Sequence, residues 1–117
     1  MKDVKILFMG TASFSSCVLK KLLETNYNVI AVVTQPDRLV GRKKVLTMPE
    51  VKEVALKHDI LVYQPQSIKN DYQDLLALKP DLIITAAYGQ MIPEAILNLP
   101  SLGCINVHAC LLYTSIT

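Results

Sequence analysis

The chain has little cysteine, little net charge and no long apolar run, and each shortage narrows what it can be. Its three cysteines, Cys17, Cys104 and Cys110, cannot all pair with one another, and none sits in a CxxC. An odd, scattered set points to reduced thiols in a cytoplasmic protein. No stretch approaches the ~20 apolar residues that a membrane span requires. The apolar part of the opening MKDVKILFMG is about half a signal-peptide core in length, and no polar cleavage region follows it. Neither a membrane partner nor a targeting address is expected. Charged residues are 19% of the 117, and twelve basic against ten acidic residues leave a formal net charge of +2. That is too weak to mark a nucleic-acid binder; only local clustering can do so. Internal repeats and low-complexity tracts are absent as well.

What is present is 51% apolar residues, enough for a core, in a length that fits one domain. Short apolar runs alternate with helix-like periodicity. Val4 to Met9, Asn28 to Val33, Leu61 to Tyr63, Asp81 to Thr85 and Cys104 to Val107 read as strands, the first two as strands buried on both faces. From Ser13 or Ser15 onward, Val18, Leu19, Leu22 and Leu23 fall at helical spacing, with Lys20, Lys21 and Glu24 outside. Further helices are predicted at Pro49 to His58, Asp71 to Leu78 and Pro93 to Leu97, two of them opening on a proline, whose missing N–H costs nothing there. Alternating strands and helices imply an α/β fold, a doubly wound parallel sheet with right-handed crossovers. The one long irregular segment is Gln35 to Met48, and loops of that length are usually functional or mobile.

Ligands of open α/β sheets bind beyond the carboxyl ends of the strands, so chemistry is sought there. Asn106 and His108 end the fifth strand, two residues apart and so on one side of it. An amide can donate to a developing oxyanion and an imidazole can move protons near neutral pH. The plainer alternative, a turn-capping asparagine and a satisfied polar histidine, stays open for an isolated N-x-H. After the first strand, Gly10-Thr11 lacks the G-x-G-x-x-G spacing because Ala12 and Ser15 stand at the later glycine positions, so no nicotinamide nucleotide is expected and Gly10 is taken to serve a tight turn. Ala86-Ala87-Tyr88-Gly89-Gln90 follows the fourth strand, and its glycine would let a ligand approach the backbone, though a plain turn fits as well. Arg38, Arg42, Lys43 and Lys44 cluster within seven residues with no acid between them, which suits a phosphate backbone or a solvated face. No aromatic is interleaved, so base stacking is not indicated.

Together these stretches resemble the methionyl-tRNA formyltransferase family. The resemblance is carried by Ile6 to Thr11, Val32 to Arg38, Gly41 to Lys43, Pro49 to Lys52, Pro80 to Ile83, Ala87 to Gln90 and Leu102 to Ala109, in order from residue 4 to residue 112. It implies residues 1–112 as the N-terminal part of a Rossmann-like formyltransferase domain that uses 10-formyltetrahydrofolate as formyl donor, with no metal. It also implies methionyl-initiator tRNA as partner, with no obligate protein partner. Asn106 and His108 would be two of the family's three catalytic residues, the first holding the formyl oxygen as it gains charge, the second assisting proton movement. Tyr88, Gly89, Gln90, Leu111 and Leu112 would border the folate, and Arg38, Arg42, Lys43 and Lys44 would reach the acceptor arm of the tRNA.

The departures are specific. Ala12, Leu39 and Met48 stand where the family usually has proline, and Cys110 and Tyr113 are substituted positions within the folate-bordering stretch. From Tyr113 to Thr117 the pattern is lost, which reads as truncation or as foreign or out-of-frame sequence. The family's catalytic aspartate and its C-terminal tRNA-binding domain do not occur in these 117 residues, so the chain alone is expected to be inactive. Two alternatives are carried forward. One is glycinamide ribonucleotide formyltransferase, against which the apolar Phe14 in the first loop and the Gln35-Pro36-Asp37-Arg38 stretch argue, or another folate-dependent formyltransferase or hydrolase domain, which shares more of these motifs. The other is a non-catalytic binding fragment.

Overall fold

The structure is a computed structural model, and it describes residues 3–107. Five strands form one parallel sheet: β1 (Ile6–Gly10), β2 (Val29–Val33), β5 (Leu61–Tyr63), β6 (Leu82–Ala86) and β7 (Cys104–Asn106). Their spatial order is β5-β2-β1-β6-β7. Counted along the chain, the sheet strands therefore run third, second, first, fourth, fifth, the doubly wound Rossmann-like order. The order reverses between β1 and β6, which pair in parallel from Ile6↔Leu82 to Gly10↔Ala86.

Alternation along the strands sorts the core into two layers. Ile6, Phe8, Val32 and Ile84 pack against Leu19 of α1 (Ser13–Glu24) and Val51, Val54 and Ala55 of α2 (Glu50–Lys57). Leu7, Met9, Ala31, Val33 and Ile83 face the other way, onto Leu75 of α3 (Gln73–Leu76) and Ile96 of α4 (Glu94–Leu97). The continuous apolar runs of β1 and β6 follow from this: both faces are covered, and all ten of their residues are buried.

Gly10 corrects the expectation of a tight turn. It is the last residue of β1, and a Cβ there would lie 2.6 Å from the Ala86 carbonyl oxygen and 2.8 Å from Ser15 Cβ. The absence of a side chain serves a close approach of β6 and the first turn of α1. Ser15 completes the contact by donating its hydroxyl to the Ala86 carbonyl. Buried Ser15 and Ser16 thus replace the apolar stripe at the start of α1, where only small side chains fit.

The segment Gln35 to Met48 is not irregular. It contains an antiparallel hairpin of β3 (Arg38–Val40) and β4 (Val45–Thr47), paired Arg38↔Thr47, Leu39↔Leu46 and Val40↔Val45. The turn between them uses left-handed backbone at Gly41 (φ +80°) and Lys44 (φ +49°). Every residue from Arg38 to Thr47 is exposed, so no burial pattern in the sequence marks these strands. Two smaller corrections concern helix bounds. Pro49 and Pro93 stand one position ahead of α2 and α4 as their caps, in extended conformation, and α3 is a single turn rather than the predicted 71–78.

Gly10→Ala is expected to destabilise the fold by about 1–3 kcal/mol, the usual cost of overpacking where the obstructing atoms are backbone. Denaturant titration of the two chains measures it. A loss below about 0.5 kcal/mol, the size of an ordinary surface change, would show that the strand ends spread easily and that close approach is not what Gly10 provides.

Candidate active site

A cleft of about 400 Å³ opens at the carboxyl edge of the sheet, across the β1–β6 reversal. Ala12 of the β1–α1 connection and Phe14 in the first turn of α1 form one wall, residues 87–90 and Ile92 another, and Thr85, Asn106 and Val107 the floor at the ends of β6 and β7. This is where doubly wound sheets bind ligands. Thr85, the polar residue of an otherwise apolar strand, is paired in register with Asn106 and donates its hydroxyl to Asn106 Oδ1 at 3.0 Å. That contact turns the amide oxygen of Asn106 toward Thr85. His108, Leu111, Leu112, Cys110 and Tyr113 lie outside the described residues.

The loop after β6 is conformationally unusual. Ala87 (φ +51°) and Gly89 (φ +98°) both take left-handed backbone, and for alanine this carries a strain of about 1–2 kcal/mol. The residues between and beyond them hold it in place. Tyr88 lines the cleft, but its side chain is 4% exposed and belongs to the core layer of Leu7, Met9 and Ile83. Its carbonyl accepts from Thr11 Oγ1 at 2.8 Å and from Gln35 Nε2 at 3.2 Å. Gln90 also lines the cleft, and its amide is engaged by the protein. Its Oε1 accepts from the Ile68 N–H at 2.9 Å, while its Nε2 donates to Gln35 Oε1 at 2.7 Å and to the Gln66 carbonyl at 3.3 Å.

Arg38, Arg42, Lys43 and Lys44 are all exposed, on the hairpin rather than in the cleft. Among the described residues, ion pairing is confined to Lys52 with Asp37, at 3.2 Å, so the hairpin cations carry no acidic partner there. Asp37 itself is held below the usual carboxylate range, chiefly by the hydrogen bond from Gln64 and also by Lys52. Cys17 and Cys104 are exposed free thiols, and Cys110 lies outside the described residues. Among the described residues there is no cluster of three metal-ligating side chains and no helix long and apolar enough to cross a membrane.

The match that decides the family runs through all of these elements: residues 3–114 fit the family described as Formyl transferase. The chain belongs to the formyl transferase family. Among its relatives, it is 60% identical over 111 residues to the methionyl-tRNA formyltransferase of Bacillus thuringiensis subsp. konkukian (strain 97-27). The same identity over the same length is found with the methionyl-tRNA formyltransferases of Bacillus cereus (strain AH187) and Bacillus anthracis (strain A0248). In each case the match covers 93% of this chain and 35% of the relative. The chain thus spans about a third of the length of the curated relatives it matches.

Within this formyl transferase chain the structure shows residues that the sequence did not single out for the site. Thr85 stood unremarked inside an apolar run, although a threonine at the carboxyl end of a buried strand is itself a signal that a polar partner waits there. Gln35 and Gln64 gave no signal of their own, because glutamine in a loop is ordinarily solvated.

Tyr88 generates a prediction. Its hydroxyl is buried with no hydrogen-bond partner among the described residues, and burial raises its pKa to about 12. Tyr88→Phe is expected to leave stability unchanged or raise it by up to about 1 kcal/mol, since an unmatched buried hydroxyl is removed. The alkaline limb carries the sign. The unfolded phenol ionises near pH 10 and the folded one near 12, so this residue's contribution is intact below 10 and falls away as pH rises toward 12. Denaturation at pH 8 and pH 11 should show a smaller alkaline loss in Tyr88→Phe than in the parent; equal losses would place the hydroxyl in contact with water.

Proposed function

We propose that this chain is the donor-site portion of a cytosolic methionyl-tRNA formyltransferase, which moves a formyl group from 10-formyltetrahydrofolate to the α-amino group of methionyl-initiator tRNA. The observation that carries the reading is the Thr85-oriented Asn106 amide in a cleft at the sheet reversal, in a chain 60% identical to methionyl-tRNA formyltransferases. The cleft fits the donor in kind. Its volume, about 400 Å³, falls within the ~300–1,000 Å³ of small-molecule sites. Its walls mix apolar Phe14, Ile92 and Val107 with polar Thr85, Gln90 and Asn106, as a flat heterocycle with polar edges requires.

10-Formyltetrahydrofolate supplies the transferable formyl carbon. The residues of this chain supply position and charge stabilisation. Asn106, oriented by Thr85, donates to the formyl oxygen as negative charge grows on it, a contribution that acts in the transition state more than on binding. The α-amine sheds a proton as it attacks the formyl carbon, and His108 is the residue proposed to carry it; as the formyl C–N10 bond breaks, N10 takes up a proton and tetrahydrofolate leaves. Residues 87–90, with Leu111 and Leu112, border the folate, and Cys110 and Tyr113 stand among them as substitutions. The hairpin presents Arg38, Arg42, Lys43 and Lys44 to the phosphates of the acceptor arm. Without an acid beside them among the described residues, they are suited to displace counterions from a polyanion.

Both halves of this reading are testable in a chimera in which residues 3–107 replace the matching segment of the full-length Bacillus cereus relative. Asn106→Ala is expected to lower kcat about 100-fold or more while changing the KM for the folate by less than about threefold. Near-normal turnover would return Asn106 to the role of a turn cap. Changing Arg42, Lys43 and Lys44 together to Ala should raise the KM for tRNA and reduce the salt dependence of tRNA binding by about two to three phosphate equivalents. The melting temperature should stay the same, because the turn is exposed. An unaltered salt slope would make these side chains a solvated face.

A further inference from the structure

Gln35 lies two positions beyond the end of β2 and three before Arg38, the first residue of the hairpin. It is 7% exposed, and all four of its polar groups are used. Its N–H donates to Thr11 Oγ1 at 3.2 Å, and its carbonyl accepts from Gln64 Nε2 at 3.1 Å. Its side-chain NH2 donates to the Tyr88 carbonyl at 3.2 Å, and its side-chain oxygen accepts from Gln90 Nε2 at 2.7 Å. One residue therefore ties the ends of β1 and β2 and the loop after β6 to the root of the hairpin. The fit is tight: a Cβ at Gly89 would stand 3.0 Å from Gln35 Nε2.

The hairpin root is fixed on the same residue's other side. Gln64 Nε2 also donates to Asp37 Oδ1 at 2.7 Å, and Lys52 holds the same carboxylate at 3.2 Å. Between Gln35 and Asp37 stands only Pro36, whose φ is locked by its ring and absorbs little rotation. A displacement of the hairpin leg therefore reaches Gln35, and through it the Tyr88–Gln90 wall of the cleft. Buried amides with every partner satisfied resist small shifts, because any partial break strands a donor or acceptor out of water.

We propose that Gln35 is a positioning residue that couples the hairpin to the cleft, so that RNA held at the hairpin and a folate held in the cleft strengthen each other's binding. The inference rests on the function proposed above. It assigns to Gln35 no contact with either ligand. Its mark is a coupling between two binding events, which linkage requires to be equal in both directions.

The test uses the same full-length chimera, with tetrahydrofolate as the cleft probe and methionyl-tRNA as the hairpin probe. The Kd for tetrahydrofolate is measured by calorimetry with and without saturating methionyl-tRNA. The parent is expected to bind tetrahydrofolate at least about fivefold more tightly when the tRNA is present, the lower end of usual coupling. Gln35→Met fills the space but removes both side-chain hydrogen bonds, and should bring that factor below about two, with the separate Kd for each probe within about threefold of the parent. Gln64→Leu removes the amide that links Asp37 to the Gln35 carbonyl without touching the cleft, and should at least halve the factor; it serves alone if Gln35→Met does not fold. Coupling that persists in these variants, or is absent from the parent, overturns the proposal. So does a Gln35→Met protein that folds but loses tetrahydrofolate binding by itself, since that is what a purely structural residue would do. The two readings fail separately. A chimera that transfers formyl without mutual dependence defeats the coupling alone, and one that shows the dependence but forms no formyl-methionyl-tRNA defeats the function.

Discussion

The carboxyl edge of the sheet is governed by the approach of β1, β6 and α1 at Gly10. A side chain there would overlap a backbone oxygen of β6 and the first turn of α1, so the strands lie flush only because the residue has none. From that contact follows the rest of the edge. Ser15 seals it through the Ala86 carbonyl, and the Thr11 N–H bonds to the Ala87 carbonyl at 3.2 Å, drawing the two post-strand loops together. The cleft then opens beyond this joined pair. A strained Ala87 is held because the backbone on both sides of it is over-determined by these bonds.

The site is accordingly built on two kinds of polar contact with different tasks. Thr85 with Asn106 is a local pair, two adjacent strands in register, and it fixes the direction of one amide. The glutamine set is long-range, joining segments 29 and 55 residues apart along the chain. Such a set cannot be assembled until the sheet is already in order, whereas the apolar runs of β1 and β6 can drive collapse by themselves.

That difference explains how much could be seen in the sequence. The central strands and the α/β class were legible because burial on both faces writes itself as apolar runs such as Ile6 to Met9 and Leu82 to Ile84, while the edge strands β5 and β7 were legible only as short apolar stretches between helices. The position of Asn106 at the carboxyl edge of the sheet was legible because it ends a short apolar stretch in the strand–helix alternation. The hairpin was not, since Arg38–Val40 and Val45–Thr47 are exposed throughout and carry no buried face to set a period. Gly10 misled for a related reason: a glycine after a strand usually signals a turn, and only the neighbouring backbones reveal that space was the requirement. The glutamine connections were invisible because amide side chains leave no trace of their partners in one dimension.

The exposed hairpin has an evolutionary consequence. Its turn, from Gly41 to Lys44, asks of the sequence only a backbone able to go left-handed at its two ends; no core layer includes a residue of it. Substitutions at Arg42 and Lys43 therefore cost the fold little. Gln35, a few residues upstream, is in the opposite position, where drift is answerable to the fold and to the cleft at once. A short stretch of chain thus contains an exposed turn that can vary freely and a rigid footing that lets it vary without rebuilding the domain.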